Sequence, residues 1–202
     1  MRRLGTATLL VAAALCAWPS GASALLQLVF ATPPALPTLT TVTLNGTTQT
    51  TNTTMTNFSV EDTRLLKSGW NVTVQGQSGS GKSAVFAQYC NKAKCGSDSE
   101  GYVGGGFSLA AGALTLNSTG AKFTGGLGTA PSFQCNSGCS VDSAAAVKVV
   151  SAPSGLSASE GTWTTSGFSA TSLALATGTS LRALSNEEVY RVNILWTLAS
   201  GP

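Results

Sequence analysis

The sequence contains no histidine, and charged residues make up only 9% of its 202 residues. Without an imidazole the chain has no Ser-His-Asp triad, no histidine base and no histidine-ligated metal. Its eight Asp and Glu residues are scattered, and no pair stands out as the two carboxylates that glycoside hydrolysis requires. We therefore expect a protein that is not an enzyme and that holds no metal and no cofactor.

The scarcity of charge also bears on secondary structure. An average soluble domain has about 25% charged residues, whereas Thr, Ser, Ala and 23 Gly take their place here. The β-branched side chain of Thr packs well on a pleated surface, and frequent Gly interrupts long helices. This composition favours strands joined by turns.

The first 24 residues follow the three-part plan of a secretory signal peptide. Arg2 and Arg3 form a basic start, an apolar stretch runs from Leu9 to Trp18, and residues 22–24 read ASA, an A-x-A cleavage site. The apolar stretch is shorter than the roughly 20 residues that span a bilayer. We expect cleavage after Ala24 and a secreted mature chain without a membrane span.

Cys16 raises the alternative of lipid attachment, but the Ala-Ala-Leu before it has the wrong order for a bacterial lipobox, so ordinary cleavage is favoured. Loss of the signal removes Arg2 and Arg3, which leaves nine basic residues against eight acids and a net charge of +1. The basic excess thus belongs mostly to the export signal. We expect no nucleic-acid partner, because such a partner calls for a basic patch.

Four cysteines remain after cleavage, in two local groups: Cys90 with Cys95, and Cys135 with Cys139. An even number in an exported chain predicts disulfides. We favour the two local bridges, and pairings between the groups stay open. A four-cysteine zinc site is the rival interpretation, but such sites usually use C-x2-C spacings, which neither group has.

The mature chain is predicted to begin with an extended, proline-rich entry segment, residues 25–37, followed by a β domain over 38–202. Residues 70–75 alternate strictly between apolar and polar, which is the pattern of a half-buried strand. The Gly/Ser-rich stretch 76–106 predicts a long loop or an inserted hairpin. Shorter strands are predicted at Leu114 and Leu116, at Val147 and Val149, and at Leu173 and Leu175.

The clearest predicted strand lies at the C-terminal end, where five apolar or aromatic residues share one face at period two. The opposite face is polar apart from Leu195. Several short strands with glycine-rich connections predict an all-β fold, an Ig-like β-sandwich of short antiparallel strands with Gly/Ser-rich loops. The five residues on the first face are Tyr190, Val192, Ile194, Trp196 and Leu198.

Residues 76–83 read GQSGSGKS and match the phosphate-loop pattern G-x-x-x-x-G-K-[ST]. In a nucleotide-binding protein Lys82 would reach the phosphates and Ser83 would hold magnesium. That function also needs a helix after the loop, and only residues 84–89 separate the motif from Cys90. We interpret the match as a chance product of a Gly/Ser-rich loop and expect no nucleotide partner.

The C-terminal segment resembles the terminal signature of WxL domains. That signature has a Tyr, three free positions, an aliphatic residue, usually Thr, then Trp, a small polar residue and Leu. Leu195 departs from it, because it stands where Thr is usual. The family's earlier Trp-x-Leu has a divergent counterpart in Trp70 and Val72. The matching C-terminal residues are Tyr190, Ile194, Trp196, Thr197 and Leu198.

The resemblance covers residues 38–202 and implies a function. WxL domains are surface domains of Gram-positive bacteria that attach non-covalently to the cell wall, with peptidoglycan as the implied ligand, and often act beside other surface or membrane-anchored proteins. The alternative is a structural or adhesive surface subunit that binds another surface protein. Trp70 and Trp196 lie in alternating apolar faces, where an aromatic is more often core than ligand contact.

Overall fold

The computed structural model describes residues 26–39, 42, 45–155, 158–179, 181–185 and 187–202, so the predicted signal peptide lies outside the described residues. Within these ranges the regular structure consists of strands, and no helix is long and apolar enough to cross a membrane. The strands are β1 (Leu28–Thr32), β2 (Gln49–Thr53), β3 (Ser59–Asp62), β4 (Trp70–Gly76), β5 (Ala87–Cys95), β6 (Asp98–Tyr102), β7 (Leu114–Leu116), β8 (Lys122–Leu127), β9 (Ser132–Phe133), β10 (Cys139–Ser140), β11 (Val147–Ala152), β12 (Glu160–Ser166), β13 (Leu173–Thr177), β14 (Glu188–Arg191) and β15 (Ile194–Ser200).

The strands form four sheets in which all the strand pairs are antiparallel. Their orders are β1-β3-β12-β8, β10-β7-β13-β2, β15-β4-β11-β9 and β14-β5-β6. Most neighbours are distant in sequence, so the connections cross from sheet to sheet. The all-β sandwich class predicted from composition and alternation is confirmed.

One hydrophobic core joins the first three sheets. Val60 and Trp163 come from the first sheet, Leu114 and Leu173 from the second, and Trp70 from the third. All five have little or no exposed surface. Their burial is the main source of stability, since removal of apolar area from water drives folding.

The alternating patterns give the correct strands in the middle of the chain. The predicted strand at 70–75 is β4, and its residues alternate between buried and half-buried along its whole length. The Gly/Ser-rich stretch 76–106 contains the β5–β6 hairpin, so the inserted-hairpin alternative is the right one. β7, β11 and β13 contain the three shorter predicted pairs.

Several strands had no sequence prediction, and β1 and β12 are two of them. β1 lies inside the predicted entry segment, and Phe30 pairs with Val60 of β3. β12 forms the centre of the same sheet, between β3 and β8. Its core face carries Trp163 and Thr165, and the hydroxyl of Thr165 accepts a hydrogen bond from the Phe58 N–H at 2.8 Å. A buried threonine can therefore occupy the core face without an unsatisfied polar group.

The prediction of a single C-terminal strand is wrong in one respect, because the chain there forms two strands in two sheets. β14 pairs with β5, whereas β15 pairs with β4. The change of sheet occurs at Asn193, whose N–H donates to the carbonyl of Ser83 and whose carbonyl accepts from the N–H of Gln77. The predicted face is nevertheless correct, since all five of its residues pack against the core.

Candidate functional site

The two motif segments of the WxL resemblance lie on adjacent strands. β4 and β15 pair antiparallel along their full lengths. Trp196 lies opposite Val74, Leu198 opposite Val72, and Ser200 opposite Trp70. The structure therefore brings together two segments that are far apart in the sequence, and it places both tryptophans on the same sheet.

Trp70 is a core residue, with no exposed surface. Its ring meets that of Phe123 edge-on, with centroids 6.3 Å apart. Its indole Nε1 is buried and has no hydrogen-bond partner among the described residues. Val72, two residues further along β4, is also fully buried. These two motif residues hold the sheet against the core and present no surface to a ligand.

Trp196 is half-buried on the same face of the sheet. Its ring lies at a tilt of 38° to that of Phe58, with centroids 6.4 Å apart. This contact places it at the margin of the core, as the alternation predicted. Ile194 and Leu198 are also half-buried against the core, whereas Thr197 points to the opposite, exposed face.

Tyr190 lies apart from the other motif residues, on β14. Its hydroxyl donates a hydrogen bond to the carbonyl of Arg182 at 3.0 Å. Burial raises the pKa of the Tyr190 hydroxyl. Tyr190 therefore ties the segment 181–184 to β14, which is a structural role at some distance from Trp196.

The cysteines form the two local disulfides that were predicted. Cys90 is bonded to Cys95, both in β5, and Cys135 is bonded to Cys139, the first residue of β10. Because the four sulfurs are paired with one another, they do not form the rival four-cysteine zinc site. The first bridge lies within β5, the second closes the turn that leads into β10, and neither takes part in the strand pairing of β4 and β15.

The segment that matches the phosphate-loop pattern forms a tight turn. β4 ends at Gly76, and the N–H of Lys82 donates to the carbonyl of Gly79 at 3.1 Å. The Ser83 hydroxyl donates to the carbonyl of Val85 at 2.7 Å. The chain then enters β5 at Ala87, and both neighbours of β4 are antiparallel. The parallel strands and following helix of a phosphate-binding loop are not formed here.

A large apolar cavity opens beside the second sheet, with a volume of about 820 Å³. Its floor consists of side chains that also belong to the core. Two short segments, 36–39 and 181–184, and strand β14 with the following Val192 form its walls. The floor residues are Phe86, Leu109, Leu114, Leu173 and Leu175, each at most 9% exposed.

Three charged residues are among those that line this mostly apolar cavity: Arg182, Glu188 and Arg191. Glu188 already accepts hydrogen bonds from the side chains of Gln88 and Ser185. These bonds, the one from Gln88 foremost, lower the pKa of the Glu188 carboxyl. The two donors therefore hold the Glu188 carboxylate in place.

Both arginines lie over aromatic rings. The Arg191 guanidinium carbon is 4.5 Å from the centroid of Tyr89, and that of Arg182 is 5.3 Å from the centroid of Phe107. Among the described residues, the ion pairs involve Arg64, Lys67 and Lys92 and leave these two arginines unpaired with carboxylates. Neither Tyr89 nor Phe107 is among the residues that line the cavity.

Nothing in the sequence predicts this cavity. Its lining comes from segments between residues 36 and 192 that meet only in the folded chain. Each segment alone looks like an ordinary apolar strand or loop. Comparison with known proteins finds no match to a family model, to a curated protein or to a solved structure.

Proposed function

We propose that this protein is a secreted surface protein that attaches non-covalently to the bacterial cell wall, with peptidoglycan as its ligand, through a WxL-like domain. The observation that carries the proposal is the pairing of the two motif segments. β4 and β15 lie side by side, with Trp70 and Trp196 directed to the same face of one sheet. If the two segments form one domain signature, their residues should lie close together in the folded chain.

Because Trp70 and Val72 are buried, the proposed wall contact uses other residues of the same sheet. Alternation turns every second residue of β4 and β15 to the outer face. There Thr197 lies opposite Thr73, and Lys148 of β11 lies opposite Thr73 on its other side. Leu195 is 36% exposed beside this row.

This outer face, defined by Asn71, Thr73, Lys148, Leu195 and Thr197, has the chemistry that a glycan with peptide stems requires. Hydroxyl and amide groups exchange hydrogen bonds with sugar hydroxyls and acetamido groups. The Lys148 ammonium attracts carboxylates of the stem peptides or anionic wall polymers. We expect such contacts to be individually weak and to gain strength from the many repeats of a polymer.

The direct test is sedimentation of the mature, oxidised protein with Gram-positive cell walls that have been stripped of protein. We expect the wild-type protein in the pellet, and its release by denaturant without any covalent remnant. If it stays in the supernatant over a range of salt and pH, direct wall binding is wrong.

Two paired variants locate the contact. The double variant Thr73→Ala with Thr197→Ala removes two adjacent hydroxyls from the outer face. The control variant Thr50→Ala with Thr162→Ala removes two exposed hydroxyls from other sheets. We expect the first to weaken sedimentation and the second to leave it unchanged, with equal thermal stability. If both double variants bind walls equally well, the outer face is not the wall contact.

A second candidate function is a surface subunit that binds another surface protein. Leu65 and Leu66 favour it, because both are about four-fifths exposed in the loop between β3 and β4, at 78% and 80%. Adjacent exposed leucines are typical of protein contacts. This function is supported if the wild-type protein does not bind walls stripped of protein but sediments with walls that retain their proteins.

A further inference from the structure

We propose that four exposed leucines at one end of the first sheet insert into the surface of a lipid bilayer and dock the protein there without spanning it. This leucine patch consists of Leu26, Leu65, Leu66 and Leu127. It lies on a different sheet from the outer face proposed for wall contact, so the inference does not depend on wall binding. It follows from the position of the leucines, the pairing of the cations beside them, and the point at which the predicted signal peptide joins the domain.

The strand register brings the four leucines to the same end of the first sheet. β1 begins and β3 ends there, with Leu28 opposite Asp62. β12 begins beside the end of β3, and β8 ends there as well, with Glu160 opposite Leu127. Leu26 precedes β1, and the other two leucines follow β3 in the loop to β4. Leucines that are far apart in the sequence therefore share one end of the sheet.

The exposure of the patch indicates a contact surface of limited size. Its side chains are between 55% and 80% exposed, and they are four of the seven large apolar side chains that are exposed in the described part of the chain. Such a concentration marks a contact with a protein or a membrane. Four leucines offer on the order of a few hundred Å², whereas a stable protein interface buries about 800 Å² on each partner. Shallow insertion into a bilayer fits this area better.

The loop that carries Leu65 and Leu66 is held in place at its base. The Arg64 guanidinium donates two hydrogen bonds to the Asp62 carboxylate and a third to the carbonyl of Gly69, each 2.8 Å long. These bonds tie the start of the loop to its end. Because the loop is already ordered, it loses little conformational freedom when its leucines insert, which favours binding.

The two cations beside the leucine patch each have an acidic partner. Arg64 pairs with Asp62, and Lys67 pairs with Glu160. Neither cation is therefore free to bind an anionic lipid head group or a carboxylate of a protein partner. Protein partners are usually recognised through complementary charges and a polar rim. Affinity here comes instead from burial of apolar surface, which any bilayer provides.

The predicted signal peptide joins the domain at the leucine patch. Its apolar stretch, residues 9–18, lies outside the described residues, and only residues 19–25 separate it from Leu26. From Trp18 to Leu26 the extended chain reaches at most about 29 Å. An apolar stretch of this kind enters the bilayer during export, so the leucine patch is within that distance of the membrane. Lipid is then the apolar partner closest to the patch.

The test is flotation of the mature, oxidised protein with lipid vesicles. One set of vesicles consists of phosphatidylcholine, and a second of equal parts of phosphatidylcholine and phosphatidylglycerol. We expect reversible binding of about the strength that a single acyl chain gives. It should be equal for both sets and unchanged by high salt, because salt screens only charge–charge attraction.

Two double variants locate the contact. Leu65→Ser with Leu66→Ser should weaken vesicle binding about a hundredfold, since each buried leucine contributes roughly a factor of ten. The matched control, Phe107→Ser with Val189→Ser, removes two apolar side chains that are 46% and 39% exposed elsewhere on the surface, and it should bind like the wild type. Both variants should keep the wild-type melting temperature and the wild-type behaviour with stripped walls.

A label reports insertion directly. The four cysteines of the predicted mature chain are paired in disulfides, so a dye that is sensitive to its environment labels Leu66→Cys at that position alone. Its emission should shift to the blue when vesicles are added, because the dye leaves water. The same dye on Val189→Cys should show no shift.

The inference is wrong if the wild-type protein binds neither set of vesicles, if the control variant loses as much binding as the leucine variant, or if the label at position 66 stays in water. Binding that requires phosphatidylglycerol and is lost in high salt would also overturn it, since the attraction would then be electrostatic. The leucine patch is a protein contact instead if the protein does not bind vesicles while Leu65→Ser with Leu66→Ser abolishes sedimentation with walls that retain their proteins.

Discussion

Gly126 lies directly against the indole ring of Trp163, so that a Cβ atom at position 126 would come within 2.1 Å of the ring atom Cε2. The residue also has φ of +57°, in the left-handed region. Both conditions select glycine, since any side chain here would displace the Trp163 ring from the core. The pair holds β8 closely against β12.

Gly126→Ala should therefore destabilise the protein by about 2–4 kcal/mol, from overpacking of roughly 1–3 kcal/mol and a left-handed penalty of about 1 kcal/mol. The measurement is urea denaturation followed by tryptophan fluorescence. Gly96→Ala is the matched control, because Gly96 has φ of +62° and open space around its Cα. We expect it to cost only about 1 kcal/mol, and equal losses in both variants would contradict the close contact with Trp163.

The two motif tryptophans should differ in their effect on stability. Trp70→Ala should cost about 3–5 kcal/mol, a large part of the 5–15 kcal/mol of an ordinary domain, since Trp70 is fully buried. Trp196→Ala should cost less, because Trp196 is half-buried. Thermal melting followed by circular dichroism measures both.

Wall sedimentation of the same samples connects stability to function. We expect Trp196→Ala to lose stability and wall binding together, because the ring packs on Phe58 beneath the sheet. A variant that keeps the wild-type melting temperature but no longer sediments would instead make Trp196 a direct contact.

Asp142 predicts a pH dependence. Its side chain is fully buried, and Oδ1 accepts the N–H of Leu114 at 3.0 Å, while Oδ2 has no partner among the described residues. Burial raises the pKa of the Asp142 carboxyl in the folded protein. The folded state then retains the proton to a higher pH than the unfolded state, whose value is about 3.9. This contribution to stability is complete below about pH 3.9 and is lost as pH rises through the folded pKa.

Asp142→Asn removes the titration and keeps the acceptor for Leu114. We expect the unfolding free energy of the variant, relative to the wild type, to increase from pH 4 to pH 8, as urea denaturation at several pH values will measure. A difference that stays constant, or that moves in favour of the wild type at higher pH, would show that Asp142 is ionised in the folded protein.

Lys82→Ala should leave the melting temperature unchanged, with and without ATP and magnesium, because the lysine is exposed on a turn rather than directed to a phosphate site. Ligand at 100 times its Kd stabilises a fold by about 2.7 kcal/mol, which a thermal shift readily detects. A rise in Tm with ATP in the wild-type protein that is absent in Lys82→Ala would establish a nucleotide site.

The sequence predicts those parts of the fold in which local pattern and burial agree. β4 alternates strictly, and its apolar face is the buried one. The local disulfides follow from cysteines that are close along the chain. In contrast, β12 has the polar residue Thr165 on its core face. Because of this residue, the sequence of β12 does not show the apolar alternation that predicts β4.

Features that depend on the meeting of distant segments could not be predicted. The change of sheet at Asn193 results from backbone hydrogen bonds to Ser83 and Gln77, which lie more than a hundred positions earlier. The cavity has the same origin, because its floor and walls come from separate strands and loops. For the proposed wall contact, the sequence indicates the motif residues, whereas the outer face becomes apparent only when β4, β11 and β15 are paired.

The arrangement of the disulfides has a consequence for the order of events in folding. Each bridge joins cysteines only five or four positions apart, and short loops close on the nanosecond scale, whereas sheets made of distant strands assemble in milliseconds to seconds. β4 and β15 can pair only after the long stretch of chain between them has folded back. Each pair of thiols therefore meets in a chain that is still largely unfolded and needs no sheet to bring it together, and neither bridge constrains the slow pairing of distant strands.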